Sequence, residues 1–132
     1  MITEDYVSFE IAKLLKEKGF DEGCSFVVNA ISKNVIPVSW PTTNSDIEDE
    51  KANLIALPTL QMAMKWLREI RDIYVDISIC VITKNTVKYN INVYYKKHKN
   101  DSMYMGIHLT KECSKYEQAC EVGIKYSLEN LI

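Results

Sequence analysis

The sequence predicts an α+β fold, in which an antiparallel meander of three or more strands has helices packed on its apolar face in two layers. Three segments place apolar residues with the period of a helix, and between the second and third of them the period changes from 3.6 to 2 residues. The strand-helix-strand alternation that a parallel sheet requires is not present. The predicted order is therefore helix, weak β region, helix, three strands, helix.

The first helix is predicted over residues 3–18, because apolar residues recur at i, i+4, i+7 and i+8 from Val7. Thr3 is the expected N-cap, and acidic residues follow it at the positive end of the helix dipole. Gly19 stands where a left-handed residue commonly ends a helix. The segment therefore has a start signal, an apolar face and a stop signal.

The pattern is weaker between residues 21 and 57. Residues 25–29 and 35–39 are short and rich in β-branched side chains, which predicts two strands or a hairpin. Residues 41–51 are polar and acidic, which predicts a surface loop. The carboxylates at residues 46–50 lack the spacing of a calcium-binding loop, so a solvated loop is favoured over a cation site.

Two further helices are predicted from capping signals. Pro58 and Thr59 precede an amphipathic segment, which predicts a helix capped by Thr59 and ending near Ile70. Residues 114–117 read Ser-Lys-Tyr-Glu, a capping box that predicts the start of the last helix. Gly123 costs up to ~1 kcal/mol relative to alanine inside that helix. Its presence predicts close approach to the sheet or to a neighbouring helix.

Apolar residues alternate with polar or aromatic residues in three successive runs, which is typical of strands with one buried face. The predicted strands are residues 73–81, 87–96 and 103–109. The turns between them are short, which predicts an antiparallel meander. Pairing Val81 with Val87 across the first turn and Tyr95 with Met103 across the second sets the predicted register.

With this register, Tyr74 lies opposite Tyr94 and Tyr94 lies opposite Tyr104, so that three tyrosines form a row on the mixed face. The residues predicted beside this row are Lys88, Lys96 and His108. Exposed rings flanked by lysines stack unpaired bases at ~1–3 kcal/mol each, which indicates a single-stranded nucleic-acid binder. Alternatively, tyrosine is a good strand former and another element covers the row as ordinary packing. The net charge of −2 and the absence of an RNA-recognition motif favour ordinary packing.

The composition excludes several classes of protein. A chain of 132 residues is predicted to form one domain, residues 1–132, and its 47% hydrophobic and 26% charged residues are the balance of a globular protein. The net charge of −2 creates no overall attraction to nucleic acid or anionic lipid. The longest apolar stretch is interrupted by polar residues, and no basic leader opens the chain. We expect a cytoplasmic protein without a membrane partner.

No pattern of catalysis or cofactor binding is present. The 4 glycines form no phosphate-binding motif. His98 and His108 have no nucleophile or carboxylate beside them in a known motif, so we expect both to be solvated. The 4 cysteines are expected to be reduced thiols, because their spacing fits no metal site and nothing in the sequence indicates an oxidising compartment. We expect no enzymatic activity, no cofactor and no metal.

Three stretches that coincide with the predicted helices begin at Glu4, Pro58 and Tyr116 and read EDYVSFEIAKLLKEKGFDEGC, PTLQMAMKWLRE and YEQACEVGIKYSLENLI. Together they resemble a family of small uncharacterised proteins of gut Bacteroidales and of their phages and mobile elements. The resemblance covers roughly two fifths of the chain. It implies an accessory role in a mobile element and, since the family has no assigned activity, it assigns no functional residue.

The sequence therefore favours a non-enzymatic interaction protein that binds a host or phage macromolecule through its strand and loop region. A protein partner is favoured over nucleic acid because the net charge is negative. Trp40, at the edge of the acidic loop, is either an exposed partner anchor or a side chain that closes the end of a core. An edge strand of the meander or the Trp40 loop could support a dimer.

Overall fold

The computed structural model describes residues 2–47 and 53–132 and confirms the α+β class. It divides into two units, Met1–Thr59 and Leu60–Ile132, each with one three-stranded antiparallel sheet. The helices are α1 (Phe9–Glu17), α2 (Leu60–Ile70) and α3 (Tyr116–Asn130). The strands are β1 (Cys24–Asn29), β2 (Val35–Thr42), β3 (Leu54–Ala56), β4 (Tyr74–Ile82), β5 (Val87–Tyr95) and β6 (Met105–Cys113). The prediction of a single domain over residues 1–132 stays a prediction.

The first helix is confirmed, but its predicted start at Thr3 is wrong. Helix α1 begins at Phe9, because the Ser8 hydroxyl accepts a hydrogen bond from the Ile11 amide at 3.3 Å and so acts as the N-cap. The preceding chain is extended, and Tyr6 forms an antiparallel bridge with Thr59. Ser8 was the nearer capping residue to the apolar face, which explains why the helix starts there.

The first sheet has the strand order β2-β1-β3, so the predicted hairpin is confirmed as β1 and β2. Strand β3 was not predicted, because three residues are too few to show an alternating pattern. The predicted loop over residues 41–51 is wrong at its start, since β2 continues to Thr42. Asp46 lies in the turn that follows and accepts a hydrogen bond from the Thr43 amide at 3.0 Å. The remainder of the acidic run, residues 48–50, lies outside the described residues.

The second unit has two layers. Its sheet has the order β4-β5-β6, helix α3 packs across all three strands, and α2 contacts β4 and α3. The predicted close approach of Gly123 is confirmed, because a Cβ atom at this position would lie 2.4 Å from Val75 Cγ1 and 3.3 Å from Ile91 Cγ2. Ile91 and Val93 of β5, together with Ile124 of α3, are completely buried. The predicted helix-covered apolar face is therefore present.

The predicted capping box at Ser114 is wrong, although helix α3 itself is confirmed. The helix begins one residue later, with Lys115 at the N-cap and no side-chain cap hydrogen bond. Strand β6 runs on to Cys113, and the backbone is still extended at Lys115, with φ −121° and ψ 137°. Glu117 is then the second helical residue, one short of the position from which a glutamate reaches back to the cap.

The predicted register of the meander is half correct. Tyr74 lies opposite Tyr94 as predicted, but the pairing of Val81 with Val87 is wrong because a bulge between Ile79 and Val81 places Lys88 opposite Val81. Tyr95 pairs with Met105 and not with Met103, so the second register is displaced by two residues.

The displacement has a cause in the connection between β5 and β6. The amide of His98 donates to Asp101 Oδ2 at 2.9 Å, and the amide of Asp101 donates to the His98 carbonyl at 3.0 Å. This turn makes the connection longer than the short hairpin that was predicted, and β6 starts later. Among the described residues, no helix is long and apolar enough to cross a membrane.

Candidate binding site

The face of the second sheet that lies opposite α3 is open. Side chains alternate between the two faces of a strand, so the contact of Val75 and Ile91 with α3 directs Tyr74, Asp76 and Tyr94 to the other face. An open groove of about 530 Å³ lies there. We call it the tyrosine groove, and its lining residues are Tyr74, Val75, Asp76, Tyr94 and Tyr104.

Three rings form the walls of the tyrosine groove. Tyr74 and Tyr104 meet edge to face, with ring centroids 5.4 Å apart and an interplanar angle of 89°. Their exposed fractions are 39% and 40%, and that of Tyr94 is 40%. Within Leu60–Ile132, no element covers these rings as ordinary packing. Partly exposed aromatic rings such as these offer a ligand both apolar faces and polar hydroxyl groups.

The predicted row, with Tyr94 directly opposite Tyr104, is wrong. Tyr94 pairs with Gly106, and Tyr104 lies before the first residue of β6. A Cβ atom at Gly106 would lie 2.9 Å from Tyr94 Cε1, so the absence of a side chain at this position lets the Tyr94 ring lie over β6. The rings consequently form a cluster around a groove instead of a straight row.

A carboxylate and a lysine hold Tyr104 in place. The Tyr104 hydroxyl donates a hydrogen bond to Asp72 Oδ1, and Lys96 Nζ lies 3.3 Å from Asp72 Oδ2. The same ammonium lies 5.0 Å from the centroid of the Tyr104 ring. The hydrogen bond from Tyr104, followed by the contacts with Lys96, lowers the pKa of Asp72, and the bond to Asp72 raises the pKa of Tyr104. Asp72 therefore remains a carboxylate over the whole physiological pH range.

Asp72 ends the connection from α2 to β4 with an unusual backbone. Its φ is 57°, in the left-handed region that glycine adopts most readily. The amide of Ile73 donates to the carbonyl of Leu67 at 3.0 Å, and this bond closes the turn around Asp72. This turn directs the Asp72 side chain to Tyr104 and Lys96.

The three residues predicted beside the tyrosines have different positions. Lys96 lies beside the groove, where it contacts the Tyr104 ring. His108 is exposed and pairs with Asn92, which lies two residues before Tyr94 in β5 and therefore on the same face of the sheet. The Nδ1 atom of His108 lies 3.1 Å from Asn92 Oδ1. The prediction is wrong for Lys88, which lies six residues along β5 from Tyr94, about 20 Å away at about 3.3 Å per residue, and pairs with Glu112 at 3.0 Å.

Asp76 is the charged residue of the groove that was not predicted from the sequence. Its side chain is exposed, and within the part of the chain that the structure describes no hydrogen-bond or ion-pair partner contacts its carboxylate. The signal was present in the sequence, because Asp76 follows Tyr74 by two residues in an alternating strand and must share its face. The groove thus combines aromatic walls with an unpaired negative charge.

Trp40 lies within β2 and has an exposed fraction of 80%. The alternative prediction, that the Trp40 side chain closes the end of a core, is therefore wrong. Its role as a partner anchor stays a prediction, as does a dimer formed through Trp40 or through an edge strand.

The side chains that could perform metal or nucleophilic chemistry are scattered. Among the described residues, no three His, Cys, Asp or Glu side chains come together to hold a metal ion. All four cysteines are free thiols, and only Cys80 is exposed. Burial raises the pKa of the Cys24 thiol to about 11, which disfavours the reactive thiolate.

No family model matches the chain, and no curated protein or solved structure matches it either.

Proposed function

We propose that this protein is a non-enzymatic interaction module that binds a segment of a partner protein through the tyrosine groove. The observation that supports the proposal is the cluster of three partly exposed tyrosines around an open groove on a helix-backed sheet. Helix α3 supports the sheet from behind, so the rings are presented on regular strands and their connections. A site on such elements is held more rigidly than one on a loop.

The size and chemistry of the groove suit a side chain or short segment of a protein. A volume of about 530 Å³ lies within the range of about 300–1,000 Å³ that is usual for ligand sites. Tyrosine is enriched at the energetic centres of protein interfaces, because it buries a large area and loses little side-chain entropy. A partner residue inserted between these rings would therefore bury substantial apolar surface.

The proposal extends to the setting in which the protein acts. We propose a cytoplasmic accessory factor of a phage or mobile element, whose partner is a host or phage macromolecule. The support is the resemblance of the three helical stretches to proteins of that kind, together with a net charge of −2 that favours a protein partner over nucleic acid.

Peptides selected from a random display library on the immobilised full chain are expected to bind the tyrosine groove. Replacing Tyr94 by leucine should then weaken their binding by about thirtyfold, because removal of a central aromatic contact costs ~2 kcal/mol or more. The measurement is the dissociation constant of each selected peptide by fluorescence anisotropy.

Tyr116→Leu is the matched control, because Tyr116 is 38% exposed and lies outside the groove at the start of α3. Tyr74→Leu is a second groove variant, in case Tyr94→Leu disturbs the fold. Selected peptides that bind both groove variants as tightly as the unaltered protein would contradict the proposal.

Single-stranded nucleic acid is the second candidate partner, because three exposed rings on one sheet face can stack bases. We expect no electrophoretic shift of single-stranded oligonucleotides even at low salt. Asp72 pairs with Lys96, the lysine that contacts Tyr104, and the unpaired Asp76 repels phosphate. A shift that disappears in the Tyr94→Ala, Tyr104→Ala double variant would establish the nucleic-acid function instead.

A further inference from the structure

We infer that the tyrosine groove is a receptor for the guanidinium group of an arginine in the partner, with Asp76 as its counter-ion. This inference rests on the proposed function and specifies the chemistry of the segment that the groove takes. Three features of the described residues support it: a cation already held by a neighbouring ring and carboxylate, a second set of rings and carboxylate without a cation, and the cost of any other occupant.

The first feature is the site of Lys96. Its ammonium lies 5.0 Å from the centroid of the Tyr104 ring and 3.3 Å from Asp72 Oδ2. An aromatic face attracts a cation through its quadrupole, and the carboxylate adds a direct charge interaction. This sheet face therefore already binds one cation with a tyrosine and an aspartate.

The second feature is that Tyr74, Tyr94 and Asp76 repeat this combination without a cation of their own. Tyr74 and Tyr94 are directly paired across β4 and β5, and Asp76 follows Tyr74 on the same face at about 7 Å along the strand. Both rings and the carboxylate line one groove. Within the described residues no lysine, arginine or histidine pairs with the Asp76 carboxylate.

The third feature is the consequence of filling the groove with another type of side chain. An apolar side chain would remove water from the Asp76 carboxylate without replacing its interactions, which is costly for a charged group. An acidic side chain or a phosphate would be repelled by the same carboxylate. A cationic side chain satisfies the carboxylate and the ring faces at the same time.

Arginine fits this set better than lysine. Its planar guanidinium stacks on an aromatic ring, donates paired hydrogen bonds to one carboxylate and is more weakly hydrated than an ammonium. The groove offers both a flat aromatic wall and a carboxylate at its side. A guanidinium can stack flat on a ring while it donates two parallel hydrogen bonds to one carboxylate, whereas an ammonium such as that of Lys96 meets both groups only as a point charge.

The inference is tested by titrating the full chain, labelled with ¹⁵N, with a blocked Gly-Gly-Arg-Gly-Gly peptide and following backbone amide shifts by NMR. We expect saturable shifts at Tyr74, Val75, Asp76 and Tyr94. The same peptide with citrulline, the neutral isostere of arginine, should bind about tenfold more weakly, and so should a lysine peptide. Added salt should weaken the arginine peptide and leave the citrulline peptide unaffected.

Two variants distinguish an effect of the Asp76 charge from an effect of unfolding. Asp76→Asn keeps the size of an exposed side chain and should weaken arginine binding about tenfold, to the level of citrulline. Glu112→Gln removes an exposed carboxylate that pairs with Lys88, far from the groove, and should leave arginine binding unchanged. Retained dispersion of the amide spectrum in each variant shows that the sheet is intact.

The outcomes distinguish this inference from the proposed function. Equal binding of the arginine and citrulline peptides, or no effect of Asp76→Asn, overturns the arginine receptor. Display-selected peptides that need Tyr94 but contain no basic residue also overturn it, while the proposed function survives. If the arginine peptide binds as expected but no selected peptide depends on Tyr94, the proposed function fails and the cation site stands. Tighter binding of the lysine peptide overturns the choice of guanidinium.

Discussion

Replacing Ile91 by alanine is expected to lower the free energy of unfolding by about 2–5 kcal/mol. Ile91 has an exposed fraction of 0% and lies in the central strand of the second sheet. Its buried neighbours include Cys113 and Ala119. Because helix α3 already approaches the sheet closely at Gly123, it cannot move inward to fill the space left by the lost methyl groups. Urea denaturation followed by circular dichroism measures the change.

The same substitution at Ile79 is the matched control. Ile79 lies in the adjacent strand β4 but has an exposed fraction of 55%. Its replacement should cost about 1 kcal/mol or less, because the site loses β-propensity and little buried area. Equal losses at the two positions would show that α3 does not cover the sheet as described.

Gly123→Ala is expected to destabilise the protein by about 1–3 kcal/mol, although alanine is the better helix former by up to ~1 kcal/mol. The added Cβ atom would lie 2.4 Å from Val75 Cγ1, a distance that forces the helix or the valine to shift. Valine is stiff about its first side-chain torsion and cannot easily rotate away. Since helix propensity favours the variant, any loss of stability reports the contact between helix and sheet.

The double variant Gly123→Ala, Val75→Ala tests this contact directly. Removing the valine methyl groups makes room for the new Cβ atom, so the two changes should be less destabilising together than the sum of the single changes, by about 0.5–3 kcal/mol. A second cycle with Gly123→Ala and Ile79→Ala should give an additive result. Additivity at Val75 would falsify the close packing of α3 at Gly123.

The elements that the sequence predicted correctly are those whose signals are local and repeated. The apolar face of α2, the alternation in β4 and β5, and the glycine in α3 each specify a structure without information from elsewhere in the chain. The predicted N-termini of α1 and α3 were wrong because another candidate N-cap lies near the true one in each case. Thr3 was predicted in place of Ser8, and Ser114 in place of Lys115. The choice between neighbouring caps depends on where the preceding extended chain ends, which the sequence pattern does not specify.

The register of β6 shows what alternation can and cannot predict. A displacement of two residues leaves every side chain on its predicted face but changes its cross-strand neighbours. Tyr94 therefore lies on the mixed face, as predicted, while its partner was predicted as Tyr104 and is Gly106. The length of the connection after Tyr95 depends on a turn closed by His98 and Asp101, and no periodic signal reveals it.

The sequence placed the three tyrosines of the groove on one face of the sheet, but it did not reveal the charges around them. Counting lysines near the rings indicated a basic surface, whereas the structure pairs Lys96 with Asp72 and Lys88 with Glu112. These partners are distant in sequence, so only the folded sheet brings them together. The change from a basic to an acidic groove reverses the expected charge of the ligand.

Asp72 has a consequence for efforts to engineer a more stable variant of this protein. Glycine adopts the φ of 57° found at Asp72 without a steric penalty, which makes it the obvious replacement at this position. Here that change would also release Lys96 and the Tyr104 hydroxyl, which Asp72 holds at one wall of the groove. Asp72 therefore serves the backbone turn and the groove at once, and a variant chosen at this position for its backbone alone would lose part of the recognition surface.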